Sequence, residues 1–326
     1  MLLAVIRDAL RIDDCEVLTS WDRRLGDFPI THPRLTVRHT DIASEPAAFR
    51  ELAEQAERVL VIAPEFQNLL ANRLRCLEAI QRRSGGRPEI LGCESAAAAL
   101  CADKLKLAAH LQSCGIATLP TARFDRSRKP CDWAFPIVIK PRDGAGSQFT
   151  FRINNDQQLA TALAEIEQSG SGFEFIQQPF VGGRALAMSA IVGSEIAPGK
   201  NADVQPFPVT EQVLSADGRF EYLGSDLNAA REPDCQSACD ELVRHCCRAV
   251  PGLRGYVGFD LILPDGGSSA PVLVEINPRL TTSYLAYREL ADFNIFAALL
   301  GRCRATQWHR RDVRFRFGAG LWTLQE

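Results

Sequence analysis

Three groups of residues have types and spacings that could do chemistry. The first is Lys140-Pro141-Arg142-Asp143-Gly144-Ala145-Gly146-Ser147, which directly follows the β-branched run Ile137-Val138-Ile139. A lysine at a strand end offers a fixed positive charge, and the small residues after it let backbone N–H groups close around phosphate oxygens. This is not a Walker A loop, in which the lysine follows the glycines. In isolation, Gly144, Ala145, Gly146 and Ser147 also read as a simple hairpin turn.

The second group is acidic. Asp260 lies within Val257-Gly258-Phe259-Asp260-Leu261-Ile262-Leu263 and Glu275 within Pro271-Val272-Leu273-Val274-Glu275-Ile276. Two unpaired carboxylates side by side in a sheet repel and are costly to desolvate, so a bound cation is the natural compensation. Asn277, two residues after Glu275, shares its face by the strand period of two. Two carboxylates and an amide oxygen form a hard-oxygen set suited to Mg²⁺ held jointly with substrate phosphates. Asp260 alone would read as a salt-bridged surface residue. Third, Pro278-Arg279 follows at once. The guanidinium could hold a substrate carboxylate or neutralise a transferring phosphoryl group, with structural pairing to a neighbouring acid as the alternative. Arg142 and Arg254 are lesser candidates of the same kind.

These residues need elements to hold them. Residues 58–63 read as a buried parallel strand and 66–82 as the helix after it, a βαβ rhythm that predicts a Rossmann-like N-terminal domain. No G-x-G-x-x-G follows the first strand, so dinucleotide binding has no support. The Pro64-Glu65 turn lies at a strand's carboxyl end, where open α/β sheets meet ligands, or is a plain strand-to-helix turn. Residues 90–92 read as a short strand, with an alanine-rich helix from Ser95 and another from Asp103 that ends at Gly115. From Phe135 the pattern turns β-rich: strands at 137–139, 149–151, 173–176 and 186–192, and a helix at 156–168. Residues 202–228 read as loops and edge strands, and 234–250 as a helix. Residues 257–263 and 271–276, joined by the turn Pro264-Asp265-Gly266-Gly267, form an antiparallel pair. The expected units are 1–100, 101–182 and 183–326.

With 326 residues, the chain is long for one core, and the 46 % hydrophobic, 24 % charged composition suits packed domains rather than disorder. A net charge of −3 gives no general attraction to nucleic acid or to an anionic membrane. Arg7 and Asp8 come too early for a signal-peptide core, and no stretch reaches the ~20 apolar residues of a membrane span, which leads to a cytoplasmic expectation. The odd count of 11 cysteines, scattered through apparent elements, favours reduced thiols; neither Cys246-Cys247 nor the Cys235, Cys239 pair has zinc-ligand spacing. The basic stretch 302–316 reads as a solvated face.

Asp103-Lys104, the run Phe135 through Pro141 with its glycine loop, Gly258-Phe259-Asp260-Leu261-Ile262 and Glu275-Ile276-Asn277-Pro278-Arg279 stand in the order and spacing of ATP-grasp enzymes. The chain resembles that family over about residues 95–284. The resemblance implies a Rossmann-like pre-ATP-grasp domain followed by a two-lobed ATP-grasp domain. It further implies that Lys104 and Lys140 contact the nucleotide, that Gly144, Ala145, Gly146 and Ser147 form a lid over the phosphates, and that Gln178, Pro179 and Val181 belong to the adenine hinge. Asp260, Glu275 and Asn277 would hold Mg²⁺, with Mn²⁺ as an alternative, and Arg279 would stabilise an acylphosphate. Small-molecule carboxylate and amine substrates, and a homodimer, are implied as well. Ala185 stands where the family commonly has a ribose-binding acid, a departure that puts ribose contact in question and leaves room for a nucleotide-binding regulatory protein without turnover.

A narrower resemblance, carried by Val61-Ile62-Ala63-Pro64-Glu65, Leu91-Gly92 and the run Asn277 through Tyr284, is to the tyramine–glutamate ligase branch of methanofuran biosynthesis. It implies attachment of glutamate to a tyrosine-derived amine. A carboxylate kinase, or a ligase for another amino acid, remains as an alternative.

Overall fold

The computed structural model describes residues 1–125, 133–193, 203–227, 232–266, 270–305, 308–309, 313–318 and 321–325. Ala202, Asn228, Gly267 and Cys131 lie outside the described residues.

The N-terminal part is mixed α/β. Helix α1 (Leu2–Leu10) precedes β1 (Val17–Asp22) and β2 (Leu35–Thr40), which pair in parallel, then α2 (Glu45–Gln55). Strand β3 (Arg58–Val59) pairs in parallel with β4 (Glu89–Ile90) across α3 (Leu69–Arg83). The expected strand at 58–63 is therefore only two paired residues, and Ile62 is exposed. The expected helix at 66–82 opens instead with a 3₁₀ turn, Phe66–Asn68, in which Gln67 and Asn68 have positive φ. Apolar periodicity in 58–82 marked the segment but could not see that the chain leaves the sheet at Leu60 to meet the rest of the molecule.

Helix α4 (Ser95–Ala102) leads into α5 (Lys104–Ser113), where Asp103 accepts the Lys106 N–H as cap and Gly115 follows at φ +71°. A four-stranded sheet comes next. It holds β5 (Ala122–Phe124), β6 (Ile137–Pro141), β7 (Phe151–Ile153) and β8 (Phe175–Pro179) in the order β5-β8-β6-β7, with α6 (Asp156–Gln168) packed on it. Asn155 caps α6 through the Gln158 N–H. Two strands sit about two residues later than expected, because residues 146–149 form a turn and 173–174 precede the ladder.

The large lobe is an eight-stranded sheet. Its strands are β9 (Gly183–Val192), β10 (Val204–Pro206), β11 (Thr210–Leu214), β12 (Tyr222–Asp226), β13 (Gly255–Pro264), β14 (Val272–Asn277), β15 (Arg314–Gly318) and β16 (Leu321–Gln325). The path runs β14-β13-β9-β11-β12-β15-β16, with β10 also on β9. Residues 202–228, expected as loops and edge strands, thus supply β11 and β12 to the interior of the sheet. Their half-buried residues carry too little apolar signal for a central strand. Helix α7 (Pro233–Ala249) buries Cys235, Cys239, Leu242, Val243, Cys246 and Cys247, one helical face at three- and four-residue spacing. That face packs with Leu186, Met188, Val257, Phe259 and Leu261 of β9 and β13. The ten described cysteines are free, and six of them are buried. Helices α8 (Ser283–Leu290) and α9 (Ile295–Leu299) pack with α1 in a second core.

Val257, Phe259 and Leu261 face that core, so Gly258 and Asp260 face the other way. At Gly258 an added Cβ would lie 2.3 Å from Thr281 Cγ2, with Asn277 directly opposite in the ladder. Gly258→Ala is expected to cost about 1–3 kcal/mol by overpacking, measured as a lower denaturant midpoint at unchanged slope.

Candidate functional site

The acidic pair is built by strand register. Asp260 lies directly opposite Glu275, and Gly258 opposite Asn277. Between Asp260 and Leu261 the register shifts so that Val274 is skipped, a bulge that lets Leu273 and Ile276 both enter the core while Glu275 and Asn277 point away from it. The shared face expected for Asp260, Glu275 and Asn277 is present: Asn277 Nδ2 donates to Asp260 Oδ2 at 2.8 Å. Gln212 Nε2, from β11, donates to Asp260 Oδ1 at 2.9 Å. Sequence reasoning missed Gln212, since its partner lies 48 residues away and no motif contains it.

Burial, then the Glu275 charge, pushes the Asp260 carboxyl up to about 6 against the opposing Asn277 and Gln212 hydrogen bonds. Burial would raise Glu275 too, but the Lys104, Lys140 and Arg279 charges outweigh it and hold Glu275 below its ordinary value. The nearby cations thus outweigh burial at Glu275 but not at Asp260, where burial and the Glu275 charge prevail over Arg279. Among the described residues no group of three or more His, Cys, Asp and Glu could hold an ion. A cation here would depend on Asp260, Glu275, the Asn277 amide oxygen and oxygens of a bound phosphate, which is a donor set suited to Mg²⁺.

The two lysines converge on the same corner. Lys104 Nζ lies 2.6 Å from the Gly144 carbonyl oxygen and 3.5 Å from Glu275 Oε2. It starts α5, and its N–H donates to the Arg142 carbonyl at 3.0 Å. Arg142 itself grips Asp103 with two bonds of 2.7 and 2.8 Å and reaches Glu174 at 2.7 Å. It is therefore a brace between α5 and the glycine loop, not a substrate arginine. Arg254 likewise pairs with Glu94 at 3.1 Å. Lys140, at the end of β6, is only 7 % exposed. Burial pushes its ammonium down to about 8, opposed by the attraction of Glu275. Since the cationic form is lost as pH rises through that value, affinity of the free protein for ATP should weaken above about pH 8, which a titration across pH would show.

Gly144, Ala145, Gly146 and Ser147 form a turn rather than part of a strand, with Gly146 at φ +71° and Ser147 at φ 59°. Ser147 Oγ donates to the Phe220 carbonyl at 2.7 Å, and Arg152 N donates to the Gly218 carbonyl at 2.8 Å. Arg219 of the same large-lobe turn pairs with Glu165 on α6 and lies over the Phe151 ring at 4.3 Å. Phe220 stacks on Phe180 at 6.2 Å. The 215–221 turn thus clasps the small lobe beside the glycine loop. At the expected hinge, Gln178 Nε2 donates to Thr121 at 2.8 Å and Phe180 N to the Pro136 carbonyl at 3.0 Å. No acceptor for the Val181 N–H is found among the described residues. Pro179 ends β8 opposite Ile137, and Ala185 stands in β9 opposite Ile262.

Arg279 does not stand free. Its Nε donates to Glu65 Oε2 at 2.5 Å, and Glu65, from the N-terminal part, is only 5 % exposed. Its Nη2 also reaches Asn277 Oδ1 at 3.4 Å. The Pro64-Glu65 turn therefore joins the site, and a small recess beside Arg279 is lined by Leu60, Val61, Leu91, Tyr256 and Pro278.

The family model for the ATP-grasp domain matches residues 101–283, more than half of the chain, and that for the pre ATP-grasp 3 domain matches residues 15–98. The chain belongs to the ATP-grasp family. This ATP-grasp protein is similar to the tyramine–L-glutamate ligase of Methanocaldococcus fervens, 27 % identical over 233 residues that cover 71 % of this chain and 61 % of the relative. It is also similar to a D-alanine–D-alanine ligase of Oleidesulfovibrio alaskensis, 29 % identical over 184 residues, covering 52 % of this chain and 55 % of the relative. The chain thus spans about three-fifths of the length of these relatives. Its fold matches an L-amino acid ligase structure from Bacillus licheniformis with a TM-score of 0.72 at 16 % identity, over 96 % of this chain and 76 % of that one. The mixed α/β pre-ATP-grasp domain and the two-lobed ATP-grasp domain follow the architecture expected. No described helix is long and apolar enough to cross a membrane.

Proposed function

We propose that this ATP-grasp protein is an ATP-dependent carboxylate–amine ligase that releases ADP and phosphate and joins glutamate to a tyrosine-derived amine. The observation that carries the reading is the Asp260–Glu275 pair, set opposite in the ladder and buried, beside two lysines and a glycine turn. Asp260, Glu275 and Asn277 would hold Mg²⁺ or Mn²⁺, which supplies charge neutralisation on the phosphates when bound. Lys104 and Lys140 bind the polyphosphate; Gly144, Ala145, Gly146 and Ser147 cover it; and Gln178, Pro179 and Val181 receive the adenine, with the Val181 N–H open to it.

Two displacements make the amide. A substrate carboxylate oxygen bonds to the γ-phosphorus of ATP as the bond to ADP breaks. The amine nitrogen then attacks the acyl carbon, phosphate departs, and the nitrogen loses a proton. No side-chain nucleophile is needed, because positioning and electrostatic stabilisation suffice. Arg279, held by Glu65, offers its remaining N–H groups to the carboxylate and then to the acylphosphate. The glutamate and tyramine assignment is supported by the similarity to the Methanocaldococcus ligase.

Phosphate release from Mg²⁺-ATP, with glutamate and tyramine supplied separately and together, tests this. Release that requires both, with ADP as the nucleotide product, supports the reading. AMP would indicate adenylation and defeat it, release with glutamate alone would indicate a kinase, and activity only with other amino acids would retain the ligase and replace its substrates.

A further inference from the structure

The Asp260 carboxylate is gripped by two neutral amides that come from opposite sides of its strand. Asn277 Nδ2, from β14, donates to Oδ2 at 2.8 Å, and Gln212 Nε2, from β11, donates to Oδ1 at 2.9 Å. Gln212 reaches Asp260 across β9, which lies between β11 and β13 in the sheet. Ala187 of β9 stands opposite Asp260 on one side and opposite Thr210 on the other. Gln212, two residues beyond Thr210, shares its face of the sheet. The crossing is open because β9 presents Ala185 and Ala187 on that face, with no atom beyond Cβ. Among the described residues, these two amides are the hydrogen-bond donors to Asp260, whereas Glu275 has Lys104 at 3.5 Å and Glu65 has the Arg279 guanidinium. An amide N–H orients a carboxylate without neutralising it, and two such bonds leave about half of its lone-pair sites open.

We propose that Gln212 is a positioning residue for the divalent cation: its amide fixes the Asp260 carboxylate so that charge and open lone pairs remain available to an ion held jointly with the nucleotide phosphates. The assignment rests on the ligase reading above, in which Asp260, Glu275 and Asn277 are the protein's donors. Gln212 acts through Asp260 and not by contact with the ion. Without its N–H the carboxylate keeps only the Asn277 bond and is free to turn about its side-chain torsions, so ordering it again is charged to cation binding. Supporting hydrogen bonds of this kind are worth about 10- to 100-fold in metal affinity. A lysine or arginine at the same position would hold the carboxylate as well, but would spend the charge that the cation needs.

Gln212→Met, which keeps the length and removes the N–H, tests the assignment. Calorimetric titration with β,γ-imido-ATP, a non-hydrolysable ATP analogue, compares nucleotide binding in Mg²⁺ with binding in EDTA. The variant should bind the analogue about 10- to 100-fold more weakly than the parent in Mg²⁺, yet within about threefold of the parent in EDTA. The Mg²⁺ concentration that gives half-maximal phosphate release should rise by a similar factor, release should recover as Mg²⁺ is raised, and the KM for glutamate should not move. Gln212→Leu, the second variant should the first fold poorly, is expected to show the same split. Equal weakening in Mg²⁺ and EDTA would make Gln212 a structural residue, equal affinity of parent and variant in Mg²⁺ would leave Asp260 independent of it, and a parent whose nucleotide affinity ignores Mg²⁺ would remove the cation; each overturns the assignment. If the split is found but no amine is joined to any carboxylate, the ligase reading fails and Gln212 keeps its role. If amide forms without the split, the ligase reading stands and the role of Gln212 fails.

Discussion

Asp260→Asn should reduce phosphate release by about 10³-fold or more while making the ligand-free protein more stable at neutral pH. Activity falls because the amide removes the charge that a cation would neutralise. The gain in stability follows from the sign of the shift. The Asp260 carboxyl titrates near 6 in the folded chain, above its ordinary value of 3.8. The folded state therefore retains a proton that the unfolded chain gives up. The associated stability is full below the unfolded value and is lost as pH rises through about 6. Over that window the parent should lose about 1–3 kcal/mol that the variant keeps. Melting temperatures at pH 4 and pH 7.5 read this directly. Mg²⁺-ATP should restore stability to the parent and not to the variant, because only the parent gains by binding. A variant less stable than the parent at neutral pH would mean that Asp260 is a structural acceptor for Gln212 and Asn277.

The second large effect belongs to Arg279. Arg279→Ala leaves Glu65, 5 % exposed, without its cation, which should cost about 3–5 kcal/mol. The same change should lower turnover by about 10²- to 10³-fold if the guanidinium also serves the carboxylate and acylphosphate. These consequences separate in a double variant. Replacing the pair with Glu65→Leu and Arg279→Met removes both buried charges, so stability should return to within about 1 kcal/mol of the parent while activity stays lost. Recovery of activity together with stability would reduce Arg279 to a structural ion pair, the alternative its position already allowed. Chemical denaturation alongside phosphate release makes the comparison.

What the sequence disclosed depended on locality. The glycine turn after a β-branched strand, the two carboxylates within apolar runs and the period-two spacing of Glu275 and Asn277 all lie within a few residues, and the described structure brings them to one corner. Helix α6 was legible to the residue because Asn155 caps it and its apolar positions repeat regularly. Features that depend on distant pairing were not legible. Glu65 meets Arg279 across 214 residues and Gln212 meets Asp260 across 48. Neither contact leaves a local period. The 215–221 turn looked like a connection because its partners, Glu165, Phe151 and Phe180, belong to another lobe. Only the carboxyl-end position of the Pro64-Glu65 turn hinted that the N-terminal part reaches the site. The pairing of Arg142 was hidden for the same reason: its nearest sequence neighbours are the glycine loop, but its charge meets Asp103 and Glu174.

The central claim is that this site activates a carboxylate by phosphorylation. Glutamate labelled with ¹⁸O in its carboxyl groups, incubated with the protein, Mg²⁺-ATP and tyramine, tests it most directly through mass analysis of the released phosphate. The account predicts one ¹⁸O atom transferred to each phosphate formed, with ADP as the other product. Unlabelled phosphate, or label found in AMP, would contradict it.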